Sequence, residues 1–286
     1  MTRLTVKDIE DISNRLTDYD QQLQKQTGRT LLGIACHACE LEESILPTKI
    51  KSAPVAIVPI TTGQGIITGF SQTLESIAKH LGFRSFITKA GDIAGIVEAV
   101  EKSAIIILMA DDERFIALNI LTRSVIDNDD ATAMGFVAGL DLMSGGVAGR
   151  DVLVAGCGPV GRKSALEALK RGAHVALLDI NPMCSREALK ELERAISYKT
   201  RITIEGKFEE AVKRSQLIID ATDAWDLFSL PQVKKETYIA APGIPLGLTE
   251  KAVEKIANRL YHDPLQTGVA VMLIRALFPL EEGNEY

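Results

Sequence analysis

Three glycines at the end of an apolar run have the spacing of a phosphate-binding loop. The run, Asp151 to Ala155, is predicted to be a buried strand, and a helical pattern follows the last glycine. Gly156 permits a tight turn, Gly158 lets the backbone approach a pyrophosphate, and Gly161 brings helix and strand together. The N-terminus of the helix offers N–H groups and a partial positive charge to phosphates. The candidate contacts are Gly156, Gly158, Pro159, Val160 and Gly161. A strand–turn–helix without a ligand is the alternative.

An acidic residue closes the next predicted strand, which covers residues 174–178. Asp179 stands where a carboxylate binds the ribose hydroxyls of NAD, and its charge would repel the 2′-phosphate of NADP. The alternative role of Asp179 is to cap the turn at Asn181. The pattern favours NAD, although Arg186 is close enough in sequence to leave NADP open.

Two later strands, predicted at 217–220 and 238–241, end in small or turn-forming residues. Ligands in open α/β sheets bind beyond the carboxyl ends of the strands. We therefore expect four residues to lie near the cofactor's ribose and nicotinamide, namely Ala221, Thr222, Pro242 and Gly243. An ordinary Pro-Gly turn explains the second pair equally well.

The order of the predicted elements indicates a small N-terminal α/β domain followed by a C-terminal Rossmann-type NAD-binding domain. In the first half, strands are predicted at 54–60, 83–88 and 104–110, and helices at 5–25, 70–81 and 94–102. Helices are also predicted from Phe115 onward, over 130–144 and over 264–279. A glycine-rich stretch near Val147 divides the chain into domains 1–147 and 148–286, and the last helix is expected to pack back on the first domain.

Composition restricts the partners. The 286 residues carry 38 acidic and 32 basic side chains, a formal net charge of −6, and only 5% are aromatic. These values argue against nucleic acid and anionic membranes as partners, because both need a basic surface. The chain has no apolar run of membrane-spanning length and no signal-peptide pattern, and four cysteines are too few for a disulfide scaffold. The expected location is therefore cytoplasmic.

The sequence Cys36-His37-Ala38-Cys39 is the one pattern that suggests a metal or redox site. A structural zinc site needs two more ligands, and neither Cys157 nor Cys184 repeats the spacing. We expect ordinary thiols and no metal. His80 suits the C-terminal end of a helix, whereas His262 stays open as a catalytic candidate.

Several segments, in order along nearly the whole chain, resemble the pyrrolysine synthase family. They are residues 58–67, Ile106 to Asp112, the Gly156–Gly161 loop, Ala241 to Pro245, Asp263-Pro264-Leu265 and Met272-Leu273. The glycine loop is common to dinucleotide enzymes, whereas the first two segments are distinctive. The resemblance implies the last step of pyrrolysine biosynthesis. In that step the terminal amine of (3R)-3-methyl-D-ornithyl-Nε-L-lysine is oxidised with NAD, ammonia leaves and a pyrroline ring closes.

The resemblance also implies which residues meet the substrate. Matched one by one, they are Leu4, Thr62, Ile67, Asp111 and Asn128. Thr62 replaces a serine of the family pattern. Thr68-Gly69 replaces Gly-Asn, so the match leaves the amide contact of that loop open.

Two carboxylates are candidates for work on the reacting amine, which must lose a proton before it can release a hydride. Asp111 follows a predicted buried strand, and Asp263 matches an acidic position of the family. We expect Asp111 to anchor the substrate and Asp263 to lie near the nicotinamide. The alternatives are a helix cap ahead of Phe115 for Asp111 and a solvated loop for Asp263. The sequence identifies no certain general base.

Other functions stay open at this point. One alternative is a dehydrogenase that acts on another small substrate, such as a tetrapyrrole or a pterin. A second is a non-catalytic NAD sensor, which would not need a polar cleft at the nicotinamide. A small-molecule substrate and a homodimer complete the expectations.

Overall fold

The first half of the chain forms a five-stranded sheet in the computed structural model, which describes residues 4–61, 63, 67–196 and 201–278. Its strands are β1 (Val55–Ile57), β2 (Ser85–Ile87), β3 (Ile106–Ala110), β4 (Phe115–Asn119) and β5 (Ser124–Asp127). They lie in the order β2-β1-β3-β4-β5. The first three are parallel, as predicted, and β4 and β5 are antiparallel.

The predicted helix from Phe115 is wrong, because residues 115–127 form a β-hairpin that extends the sheet. Burial alternates along β4, with Phe115, Ala117 and Asn119 buried and the residues between them partly exposed. That period of two is typical of a strand with two unlike faces. The turn before β4 is fixed by Asp111, whose Oδ1 accepts from the N–H groups of Glu113 and Arg114, both at 2.8 Å. Asp111 therefore caps a turn between strands rather than a helix.

Helices cover the first sheet. They are α1 (Val6–Ile9), α2 (Ile12–Thr27), α3 (Leu31–Ala38), α4 (Leu46–Ser52), α5 (Phe70–His80) and α6 (Asp92–Glu101), with a short 3₁₀ helix at Glu43–Ile45. The predicted helix 5–25 is divided into α1 and α2 at residues 10 and 11, and Thr5 stands at the N-cap of α1. Three apolar side chains of these helices, Ile9, Ile12 and Leu16, are buried against the core.

The second half of the chain forms a six-stranded parallel sheet in the order β11-β10-β9-β6-β7-β8. The strands are β6 (Asp151–Ala155), β7 (His174–Leu178), β8 (Ile202–Ile204), β9 (Leu217–Asp220), β10 (Tyr238–Ala240) and β11 (Leu260–Tyr261). The helices are α7 (Asn128–Ser144), α8 (Pro159–Lys170), α9 (Pro182–Ala195), α10 (Phe208–Arg214), α11 (Glu250–Ile256) and α12 (Gln266–Leu277), with a 3₁₀ helix at Ala257–Arg259. The predicted strands of this half are confirmed.

Helices α7 and α12 pack against each other between the two sheets. A Cβ added at Gly135 would lie 2.3 Å from Cγ2 of Thr267, and one at Gly139 would lie 2.3 Å from the ring of Tyr261. Only glycine permits this approach. Helix α7 contacts α3 and β5 of the first half as well as α8 and β10 of the second. The two halves therefore pack against the same helix. The division at residue 147 stays a prediction.

None of the helices in the described ranges combines the length and the apolar character that a bilayer crossing requires.

Candidate functional site

A cavity of about 440 Å³ opens between the two sheets. The first half contributes the residues that follow β1 and β3 and one face of α5. The second half contributes the N-terminus of α8 and the loops after β10 and β11. Lining residues that the argument uses are Leu4, Ile67, Asp111, Asn128, Asp129, Val160, Pro242 and Pro264. A ligand in this cavity would therefore touch the predicted substrate residues and the predicted cofactor loop together.

The glycine loop has the geometry that a dinucleotide phosphate requires. Gly156 adopts φ +88°, and a Cβ there would lie 2.5 Å from the carbonyl oxygen of Ala221. A Cβ on Gly161 would lie 1.9 Å from the carbonyl oxygen of Gly156. Gly158 differs, because no protein atom lies within 4 Å of the position that its Cβ would take. The open space at Gly158, directly before the helix N-terminus at Pro159, fits a pyrophosphate group.

Asp179 both caps a turn and faces the glycine loop. Its Oδ2 accepts from the N–H of Cys157 at 2.7 Å, and its Oδ1 accepts from the N–H of Asn181 at 2.8 Å. A carboxylate oxygen accepts more than one hydrogen bond, so both oxygens keep capacity for ribose hydroxyls. The guanidinium of nearby Arg162 forms ion pairs with the carboxylates of Glu187 and Glu191. The two predicted roles of Asp179 are thus compatible.

The loops that follow β9 and β10 lie against each other beside the glycine loop. A Cβ on Gly243 would lie 2.1 Å from the carbonyl oxygen of Thr222, and the N–H of Gly243 donates to the carbonyl oxygen of Asp220 at 3.0 Å. Pro242 lines the cavity. The sequence analysis did not name Asp220 as a site residue. This carboxyl is fully buried at the end of β9. Burial raises the pKa of this carboxyl, and its place at the end of an apolar strand was the available signal.

Four of the five predicted substrate residues line the cavity, namely Leu4, Ile67, Asp111 and Asn128. Thr62 lies outside the described residues. The two backbone N–H groups that bind Asp111 hold the pKa of its carboxyl below the ordinary value. Asp111 is thus a stable anion at the edge of the cavity, suited to hold a cationic group.

Comparison with known proteins shows the family. Residues 8–126 match the model of the N-terminal domain of the pyrrolysine biosynthesis protein PylD. The curated pyrrolysine synthase of Methanosarcina acetivorans is 32% identical over 279 residues, which are 97% of this chain and 100% of that protein. The chain belongs to the pyrrolysine synthase family. The pyrrolysine synthase of Methanosarcina barkeri is also 32% identical, over 97% of this chain and 98% of that protein.

The second half carries a dehydrogenase-type domain. Residues 131–224 match the model of the C-terminal domain of alanine dehydrogenase/PNT. Among solved structures, a quinate dehydrogenase from Corynebacterium glutamicum in complex with NAD superposes with a TM-score of 0.56 at 12% identity, covering 80% of this chain and 94% of that one. A shikimate dehydrogenase from Aquifex aeolicus gives 0.53 at 14%, covering 79% and 92%. These structures show the fold, and the predicted α/β class with a Rossmann-type half is confirmed.

For this member of the pyrrolysine synthase family, the predictions of an oxidoreductase and of an NAD-binding domain are likewise confirmed. The family match also decides against the tetrapyrrole or pterin dehydrogenase and against the non-catalytic sensor as readings of the whole chain.

The placement expected for Asp263 needs correction. Its carboxylate is 4% exposed and does not line the cavity, although Pro264 and Leu265 beside it do. It accepts from the hydroxyl of Tyr19 at 2.6 Å, from the N–H groups of Leu265 and Thr267 at 3.1 and 3.0 Å, and from the hydroxyl of Thr267. A carboxylate with four donors is committed to structure, because moving a proton would break these bonds. Asp263 fastens the start of α12 to α2.

The cysteines and histidines have structural roles. Burial raises the pKa of both Cys36 and Cys39 to about 12, so both stay protonated thiols. No group of three or more metal-ligating side chains occurs within the described ranges. His80 bonds to Asp20 at 2.7 Å, and Nδ1 of His262 lies 2.7 Å from the carbonyl oxygen of Ala241. Of these side chains, none lines the cavity between the sheets.

Proposed function

We propose that this enzyme oxidises the terminal amine of (3R)-3-methyl-D-ornithyl-Nε-L-lysine with NAD and so forms pyrrolysine. One observation supports this most strongly: Asp111, an anion fixed by a β-turn, and Val160, part of the dinucleotide loop, line one cavity. A substrate ammonium and a nicotinamide bound there would be neighbours. Such positioning alone gives a large rate advantage, because two reacting groups are held together.

The reaction balances as follows. The substrate R–CH₂–NH₃⁺ loses a proton, its carbon transfers a hydride, and an iminium R–CH=NH₂⁺ remains. Water adds to the iminium carbon, ammonium leaves, and an aldehyde results. The α-amine of the same ornithyl chain then attacks this aldehyde and loses water, which closes the five-membered ring. The hydride is the only pair of electrons that leaves the substrate.

The residues that line the cavity have different roles in binding the substrate. Asp111 holds the cationic end of the substrate, and Asn128 presents an amide at the start of α7. Leu4 and Ile67 supply apolar surface for the methylated chain. Thr62 belongs to the same substrate set by its match to the family.

NAD, when bound, supplies the hydride acceptor. The chain holds it with Gly156, Gly158, Pro159, Val160 and Gly161 at the pyrophosphate and with Asp179 at the adenosine ribose. Ala221, Thr222, Pro242 and Gly243 lie beside the nicotinamide half. The open position at Gly158, directly before the first turn of α8, supports this assignment. The charge of Asp179 disfavours the 2′-phosphate of NADP.

The test is the absorbance of NADH when purified protein meets NAD and the methylornithyl-lysine conjugate. We expect NADH and ammonia to form in equal amounts, and no signal with NADP at the same concentration. Calorimetry measures NAD binding in the same preparation. Bound NAD without NADH formation would reject this substrate. Absence of NAD binding would reject the whole proposal.

The division into domains 1–147 and 148–286, a homodimer and a cytoplasmic location stay predictions. Light scattering of the purified protein measures the number of chains in solution. A monomer at working concentration would remove the homodimer from the account.

A further inference from the structure

Asp129 lies on the wall of the cavity at the first turn of α7. Its backbone N–H donates to Oδ1 of Asp127 at 3.0 Å, which fixes the turn. Its own carboxylate receives no hydrogen bond from any described group, and the side chain is only partly exposed. A carboxylate that is turned toward a cavity and left without donors keeps its capacity to accept a proton from a ligand.

The neighbouring acids are committed to other partners. Asp111 accepts two backbone hydrogen bonds. Asp127 accepts a bidentate contact from Arg114 at 3.0 and 3.1 Å. Asp130 pairs with Lys163 at 3.0 Å. Among these acids of the hairpin and of α7, Asp129 is the one with no described donor.

The pair of Asp130 with Lys163 also sets the position of Asp129 relative to the cofactor loop. It joins the first turn of α7 to the second turn of α8, whose first turn includes Gly161 of the glycine loop. Asp129 and Val160 consequently line the same cavity from opposite helices. A carboxylate here lies on the same cavity as the cofactor loop.

The local environment makes Asp129 a stronger base than an exposed aspartate. Burial and the negative charge of Asp127 raise the pKa of the Asp129 carboxyl, and Lys163 opposes them. The N-terminus of α7 stabilises the anion and so opposes this rise, which keeps Asp129 in the carboxylate form that accepts a proton. Asp111 shows the reverse, because hydrogen bonds lower its pKa.

We propose that Asp129 is the catalytic base that takes the proton from the substrate ammonium, while Asp111 anchors the charged substrate. This rests on the proposed function. The N–H bond of the ammonium breaks, its electron pair stays on nitrogen, and the proton forms an O–H bond on the Asp129 carboxylate. The nitrogen lone pair then expels the hydride from carbon. Asp129 later releases this proton to water, which restores its carboxylate.

The test compares Asp129→Asn with Glu113→Gln, an exposed acid of the neighbouring turn whose side chain does not line the cavity. Single-turnover NADH formation is followed at pH 7 and pH 9, with saturating NAD and conjugate. At pH 7 we expect Asp129→Asn to be slower than wild type by about a hundredfold or more, the usual contribution of a general base. Glu113→Gln should stay within about twofold of wild type at both pH values.

The pH comparison separates a base from a structural residue. The free amine of the conjugate has a pKa near that of lysine, about 10.4, so its fraction rises about tenfold per pH unit below that value. Substrate that arrives already deprotonated needs no base. The deficit of Asp129→Asn should therefore shrink strongly between pH 7 and pH 9. An equal deficit at both pH values, or no deficit at all, would overturn the role of Asp129. A wild-type enzyme that forms no NADH would instead overturn the proposed function itself.

Discussion

The hydroxyl of Tyr19 in α2 donates to the carboxylate of Asp263, at the start of α12, across 2.6 Å. The contact joins residues 244 positions apart in sequence. Burial of Tyr19 and the adjacent Asp263 charge raise the pKa of the phenol well above its ordinary value, so it stays a donor. The contact places one of the predicted catalytic carboxylates in the framework of the protein.

Replacing Tyr19 by Phe should lower the free energy of unfolding by about 1–3 kcal/mol, because a buried acceptor loses its donor. The rate per folded molecule should change less than twofold. Urea unfolding and NADH formation measure the two effects. Tyr238→Phe is the control, since its hydroxyl has no hydrogen-bond partner among the described residues. A large loss of rate without loss of stability would restore Asp263 to the chemistry.

Gly158→Ala and Gly161→Ala should fail in different ways. At Gly158 the backbone φ is −71° and no protein atom is close, so alanine should alter stability by less than about 0.5 kcal/mol. It should weaken NAD binding at least tenfold, because its methyl group fills the pyrophosphate space. At Gly161 the methyl group would overlap the Gly156 carbonyl, so the protein should unfold readily. Calorimetry with NAD and thermal unfolding distinguish the two, and unchanged NAD affinity in Gly158→Ala would contradict the site.

Replacing Asp111 by Asn should reduce kcat/KM well over tenfold while NAD affinity stays the same. The amide keeps the size of the side chain but loses the charge that attracts an ammonium. Glu113→Gln, in the same turn and exposed, is the matched control. Steady-state kinetics with the conjugate and calorimetry with NAD provide the measurements. An unchanged kcat/KM would remove Asp111 from substrate binding.

Asp141 should make stability depend on acid. The hydrogen bond from His37, with the N–H of Val147 and Arg171, holds the pKa of Asp141 below its ordinary value. A lowered folded-state pKa stabilises the fold above the unfolded pKa of about 3.9, and this stabilisation is lost as pH falls through the folded value. Asp141→Asn should thus be less stable than wild type by about 1 kcal/mol at pH 6, and the difference should shrink as the pH falls through the lowered folded-state pKa of Asp141.

Urea unfolding at several pH values gives this difference directly. Glu193→Gln, an exposed change of the same chemistry on α9, should show no difference at any pH. A gap between Asp141→Asn and wild type that persists unchanged in acid would show that the contact acts through packing alone.

How much could be predicted from sequence depends on whether the signal was local. The glycine loop is local, since Gly156, Gly158 and Gly161 fix a turn with their neighbours, and the structure has that turn. The hairpin at Phe115 was missed because residues 115–119 are mostly apolar, so the sequence shows no alternation. Burial alternates only after β4 pairs with β3. Asp263 was misplaced because its partner, Tyr19, is distant in the chain. Asp129 was overlooked because its lack of donors is a property of the folded surroundings.

The close packing at Gly135 and Gly139 of α7 limits how this enzyme can be redesigned. An added methyl group at Gly139 would occupy the ring of Tyr261, and one at Gly135 would occupy the side chain of Thr267. Gly135 thus packs against α12 and Gly139 against β11, with no space for a side chain at either position. To enlarge the cavity for bulkier amines, substitutions should therefore be made in the loops after β1, β3 and β10, while Gly135 and Gly139 are kept.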